Sequence, residues 1–157
     1  MMNEYIKKLR EKVGNQKLIL PGVRAVILNE KGEILLQQRG DFKKWGLPAG
    51  SVELNESALD ALKREVKEET GLDILKATAI GIYSQPKYSF AYPNGDEVQI
   101  FTLAFVVRKF SGNLKIDGKE TLALQFFAMD NLPDDVLSIH LETIQDYKVY
   151  DGNFILK

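Results

Sequence analysis

From position 56 to 69 the chain reads ESALDALKREVKEE, and Glu65, Glu68 and Glu69 are spaced to share one side of a helix. With Glu65 at 0° and about 100° per residue, Glu69 falls near 40° and Glu68 near 300°. Leu59, Leu62 and Val66 cluster at about 90°, so the stripe expected to dock this helix lies beside the carboxylates. One reading of such a cluster is a solvated face, in which Lys63, Arg64 and Lys67 pair with acids one turn away. The other is a hard-cation site. Carboxylates this close repel one another unless something neutralises them, and Mg²⁺ takes oxygen ligands while keeping some of its waters. A phosphate ester is a natural substrate for a metal held in this way.

The surrounding residues separate the two readings. The stretch GSVELNESALDALKREVKEETGL, residues 50–72, fills every fixed position of the pattern G-x5-E-x7-R-E-U-x-E-E-x-G-U, where U is aliphatic. The positions are Gly50, Glu56, Arg64, Glu65, Val66, Glu68, Glu69, Gly71 and Leu72. From average residue usage, a chance match in a chain of this length is on the order of 10⁻⁸. The stretch resembles the signature box of the Nudix (MutT-like) hydrolases. The likeness extends to a strand pair ending in Arg39, the approach Trp45-Gly46-Leu47-Pro48 and a closing helix, over nearly all of residues 18–148.

The resemblance implies an α+β fold, an α/β/α sandwich with a mixed β-sheet and the box helix packed between sheets. It implies Mg²⁺, with Mn²⁺ able to substitute, held by Glu65, Glu68, Glu69 and the carbonyl of Gly50. Glu56 and Gly71 take structural places in the box, and Arg64 orients a catalytic glutamate through charge-assisted bonds. Water attack on a diphosphate leaves a proton to be taken by a carboxylate. Glu68, in the box, and Glu120, in a later loop, are both candidates, alongside Glu69 and Arg64 in the catalytic set. Arg39, Tyr88 and Phe90 are the expected substrate contacts. Where the family commonly has two glycines, this chain has Ala49-Gly50, which costs backbone freedom at position 49 alone.

Several elements must position these groups. Residues 3–13 read as an amphipathic helix ending at Gly14, a candidate homodimer or lid element. Residues 18–28 and 33–39 read as a strand pair around the turn Glu30-Lys31-Gly32. The box helix is expected over 55–70, with Asn55 as N-cap, Glu56 in its first turn and Gly71 terminating it. Strands follow at 74–84, 98–109 and 122–129, with Pro93-Asn94-Gly95-Asp96 as a turn. A last helix over 133–149 is expected to face inward with Val136, Ile139, Ile144 and Tyr147. Trp45 reads as a packed sheet-edge aromatic, and His140 as a surface residue. The expected organisation is a helical extension over 1–17 followed by one domain over 18–157.

Composition narrows the function classes. The 157 residues carry 21 Lys and Arg against 22 Asp and Glu, a net charge of −1. That balance argues against stable binding to long nucleic acid. The absence of cysteine excludes disulfides, thiolate zinc sites and cysteine nucleophiles. No apolar run approaches the ~20 residues of a membrane helix, so a soluble, cytoplasmic protein is expected. The isopentenyl diphosphate isomerase branch of the same fold relies on a cysteine this chain lacks. A nucleotide sensor is an alternative, but sensors of this fold tend to lose box glutamates. The expected substrate is a small nucleotide-like molecule, a nucleoside diphosphate linked to another moiety, with oxidised nucleoside triphosphates as the alternative.

Overall fold

The computed structural model describes residues 3–157. In chain order the elements are α1 (Glu4–Val13), β1 (Leu18–Ile27), β2 (Ile34–Arg39), β3 (Trp45–Gly46), β4 (Ala49–Ser51), α2 (Ala58–Thr70), β5 (Asp73–Tyr83), β6 (Ser89–Ala91), β7 (Glu97–Ser111), β8 (Thr121–Phe127), α3 (Ser138–Lys148) and β9 (Ile155–Leu156). A six-stranded mixed sheet runs β4-β1-β7-β5-β9, with β6 also pairing β7, and a three-stranded antiparallel sheet runs β3-β2-β8. The parallel β1–β7 pair, Leu18↔Val98 through Ile27↔Val107, is its longest parallel contact.

Strand alternation divides the core into two layers. Val23, Ala25 and Ile27 of β1 and Leu35 of β2 pack on α2, with Ala61, Leu62 and Val66. Val26 and Leu28 and the β2 residues Ile34 and Leu36 face the other way, with Tyr83, Tyr88 and Ile144 of α3. Strands buried on both faces lose the polar half of the period-2 pattern, which is why residues 23–28 are apolar except for Arg24. The α2 helix touches β1, β4 and β5 of one sheet and β8 of the other. The result is the expected α/β/α sandwich. Helix α1 adds Ile6 to a smaller cluster with Leu20 and Val98. Its N-cap Asn3 accepts from the Ile6 amide, and Arg10 donates to the carbonyls of Gly14, Gln16 and Glu97.

The start of α2 differs from expectation. Ser57, not Asn55, is the N-cap, in a reciprocal capping box with Asp60. Asn55 is left-handed (φ 66°) in the preceding turn, and Glu56 lies ahead of the helix. Leu59 is exposed, and Ala61 takes its place against the sheets. The last helix is also shorter than expected. Val136, just after a turn at 134–135, bridges β3 in parallel: the Trp45 amide donates to the Asp135 carbonyl, and the Leu137 amide to that of Trp45. That pairing takes the backbone groups a helix from 133 would use. The apparent bend at 45–50 is built from β3 and β4, and β6 and β9 are further strands too short for a sequence signal. No helix among the described residues is long and apolar enough to cross a membrane.

Candidate active site

The α2 face that meets the sheets carries Glu69 among its buried residues, with Ala61, Leu62, Val66 and Thr70. On the wheel these span an arc of about 180°, and Glu69 lies near its centre rather than at its edge. Its two carboxylate oxygens are held by neutral donors: the Ala49 amide at 2.9 Å and the Gln37 side-chain amide. Gln37 in turn accepts from the Thr121 hydroxyl at 2.8 Å. Burial, reinforced by Glu65, pushes the Glu69 carboxyl up to about 8. Burial also raises Glu65, against the opposing pull of Arg64.

Arg64 ties the helix to the loop that precedes it. Its guanidinium donates to Glu56, to the Ser51 carbonyl at 3.0 Å and to Glu65 at 2.9 Å, and it reaches Glu68 at 3.4 Å. Glu56 also accepts from the Glu53 amide, which closes the 51–56 loop on itself. Gly50 lies flat against the Glu65 carboxylate; a Cβ at position 50 would come within 2.0 Å of its carboxyl carbon. A side chain at position 50 would therefore displace the Glu65 carboxylate, while the neighbouring Ala49 fits. Glu68 stands apart from the other two, its side chain 54% exposed. Among the described residues no three acidic or histidine side chains converge in metal-holding geometry. The donor set still suits a hard divalent cation. It is all oxygen, and a cation would offset the burial and the neighbouring Glu65 charge that raise Glu69.

The loop strand β4 separates this carboxylate face from a cavity of about 300 Å³, lined by Ala49, Gly50 and Ser51 on one side. Phe42, Phe90 and Tyr92 form one aromatic wall, with ring centroids 5.0 to 5.8 Å apart. Arg24, Arg39, Lys44 and His140 supply its polar lining, together with Thr102 and Ser138, and no acidic residue lines it. Arg39 makes a bidentate pair with Asp41.

Of the three expected substrate contacts, Arg39 and Phe90 line the cavity and Tyr88 does not. It belongs to the turn Gln85–Tyr88 ahead of β6, so the strand's alternation does not reach it. Instead it is buried edge-on against Tyr83, ring centroids 5.8 Å apart. Trp45 packs edge-on against Phe127, as a sheet-edge aromatic. His140 is no surface residue: it is buried, and its Nδ1 accepts from the Leu47 amide at 2.9 Å. Burial, then Arg24 and Arg39, hold it well below the usual imidazole range, so it is neutral with the proton on Nε2. Glu120 lies where β8 begins, its carbonyl accepting from the Gly40 amide, one residue from Thr121.

Gln37, Thr121, Arg24 and Thr143 escape the motif. The available signal was a polar residue within an apolar strand: Arg24 in VRAVIL and Gln37 after ILL.

The NUDIX domain model matches residues 18–147. A Bacillus subtilis (strain 168) protein provisionally named an 8-oxo-dGTP diphosphatase is 34% identical over 81% of this chain and 78% of its own length. The ADP-ribose pyrophosphatase of Methanocaldococcus jannaschii is 33% identical over 91% of this chain and 84% of that protein. Among solved structures, the MutT NUDIX hydrolase from Burkholderia pseudomallei superposes with a TM-score of 0.69 at 26% identity, covering 82% of this chain and 97% of that one.

Proposed function

The chain belongs to the Nudix family, and from that premise we propose that its carboxylate helix and adjoining cavity form one active site. The protein is a hydrolase of diphosphate bonds in nucleotide-like molecules. The substrate we assign is a nucleoside diphosphate linked to another moiety, and the cofactor is Mg²⁺. The observation that carries this reading is the shared wall. Ala49–Ser51 lines the cavity while Ala49 donates to Glu69 and Gly50 abuts Glu65.

Glu65, Glu68, Glu69 and the Gly50 carbonyl would hold the metal. When bound, it neutralises the diphosphate and lowers the pKa of the attacking water. The remaining work belongs to the chain. The rings of Phe42, Phe90 and Tyr92 flank the substrate's flat portion, and Arg39 and Lys44 meet phosphate oxygens. Arg64 fixes Glu65 against the loop. The water oxygen joins phosphorus, the bridging P–O bond breaks, and Glu68 takes the proton. Glu68 suits this step because it is half-exposed and tied to Arg64 by one long contact.

A panel of ADP-ribose, nucleotide sugars, dinucleoside polyphosphates and oxidised nucleoside triphosphates, incubated with Mg²⁺, tests the class. Nucleoside monophosphate should appear from at least one diphosphate-linked substrate. No turnover of any member with Mg²⁺ or Mn²⁺ would refute it. On the best substrate, Glu68→Gln should lower kcat by about 10²-fold or more, and Glu120→Gln by less than about 10-fold. The reverse order would move the proton acceptor to Glu120.

A further inference from the structure

Arg24 is a charged residue in the middle of β1, 1% exposed, on the wall of the cavity. Its neighbours in the strand are Val23 and Ala25, both buried. A guanidinium in such a place normally has a carboxylate partner, because an unpaired buried charge is costly. Among the described residues no carboxylate lies within ion-pair distance of Arg24, and Glu142 acts on it only from farther away. Its one hydrogen bond goes to the Thr143 hydroxyl at 2.8 Å, and its buried Nε–H has no partner. Among the described residues the ring beneath it is that of Tyr83, at 5.9 Å. Burial lowers Arg24 to about 10, so it remains a cation at neutral pH. The other cavity arginine is different, since Arg39 has a carboxylate partner in Asp41.

The deep polar lining is thus rich in donors. Arg24 offers only N–H groups, and neutral His140 is a donor at Nε2. With no acidic side chain in the lining, a ligand group that brings another donor leaves Arg24 unsatisfied. A group that brings acceptors completes it. Beside the aromatic wall of Phe42, Phe90 and Tyr92, the flat group of suitable size is a nucleobase. The purines differ in the needed respect. Guanine presents two acceptors, N7 and O6, along one edge, where adenine presents an acceptor and an amino donor.

We propose that Arg24 is the specificity-determining residue of this cavity, using its counter-ion-free guanidinium to select a base with a carbonyl edge, guanine in preference to adenine. This rests on the reading of the cavity as the place where the nucleoside end of the substrate sits. It goes further in assigning the base and the residue that reads it. Thr143 is the positioning residue, since it supplies the one hydrogen bond that fixes the guanidinium.

The test uses binding of the mononucleotides GMP and AMP to the full chain with Mg²⁺ present, measured by calorimetry, so it does not depend on turnover. Wild type should bind GMP about 10- to 100-fold more tightly than AMP. Arg24→Met, which keeps length and removes the fork, should bring that ratio to within about threefold of unity. It should melt at the same or a higher temperature, because a buried unpaired charge has gone. Should Arg24→Met fail to fold, Thr143→Val provides the second variant, and the ratio should fall at least threefold. A wild type that binds AMP as well as GMP would overturn the proposal, as would a folded Arg24→Met that keeps the ratio. Failure of the substrate panel with the GMP preference intact would refute the hydrolase reading and leave the base assignment standing.

Discussion

Of Glu65, Glu68 and Glu69, only Glu69 is buried. Its carboxyl is buried, faces Glu65 and is held only by neutral amides. Folding raises it from about 4.5 to about 8. A carboxyl raised in this way contributes most stability while protonated, below about 4.5, and loses that contribution as pH rises through 8. Without divalent cation, wild type should therefore lose ground to Glu69→Gln across this window, because the amide cannot ionise. Melting curves at pH 5, 6.5 and 8 in EDTA check this. The variant's advantage should widen with pH by several degrees, and added Mg²⁺ should close it for wild type alone. A difference that stays constant with pH would show that Glu69 does not ionise against its surroundings. Motif spacing singled out Glu69 as a candidate metal ligand. Its place at the centre of the buried arc was not legible, because that depends on how two sheets embrace the helix. Gln37 and Thr121, which hold it from the second sheet, come from segments 84 residues apart. No local signal links them.

At the scale of the element, α2 succeeds as a scaffold because both ends are fixed before its carboxylates are placed. Ser57 and Asp60 close the N-terminus, and Gly71, left-handed at φ 80°, closes the other end. The S-x-x-D capping box was present in the sequence, two residues beyond the Asn55 expected to cap it. Asn55 instead occupies a left-handed turn that asparagine tolerates better than most residues. The two positions should respond oppositely. Ser57→Ala should cost about 1 kcal/mol, whereas Asn55→Gly, at its left-handed φ, should be neutral or slightly stabilising. Urea unfolding of both variants measures this, and equal losses would return the cap to Asn55. The later elements show why strands were easier to place than to extend. The alternating runs behind β5, β7 and β8 came within a few residues of their observed ends. The final helix began five residues late because residues 135–137 pair with β3, and β3 is itself two residues long.

At the scale of the whole molecule, the site is a junction of elements from both sheets. The six-stranded sheet supplies β1 and β4, the three-stranded sheet supplies Gln37, Arg39 and Thr121, and α3 brings His140 and Thr143 behind Arg24. The fold class and carboxylate helix were legible because each is written in a contiguous run. The cavity was not. His140 read as a surface residue because its only burial signal is a partner 93 residues away, and Tyr88 read as a contact because a turn interrupts its strand. What unites these parts is the claim that Glu69 works with a divalent cation in cutting a diphosphate. The most direct test is the turnover of the best panel substrate by wild type and Glu69→Gln across a Mg²⁺ titration that begins in EDTA. Wild type should be inactive without metal and saturate with it, and the folded variant should lose about 10²- to 10⁴-fold in kcat/KM at every concentration. Full wild-type turnover in EDTA, or a folded variant that turns over near the wild-type rate, would contradict the account.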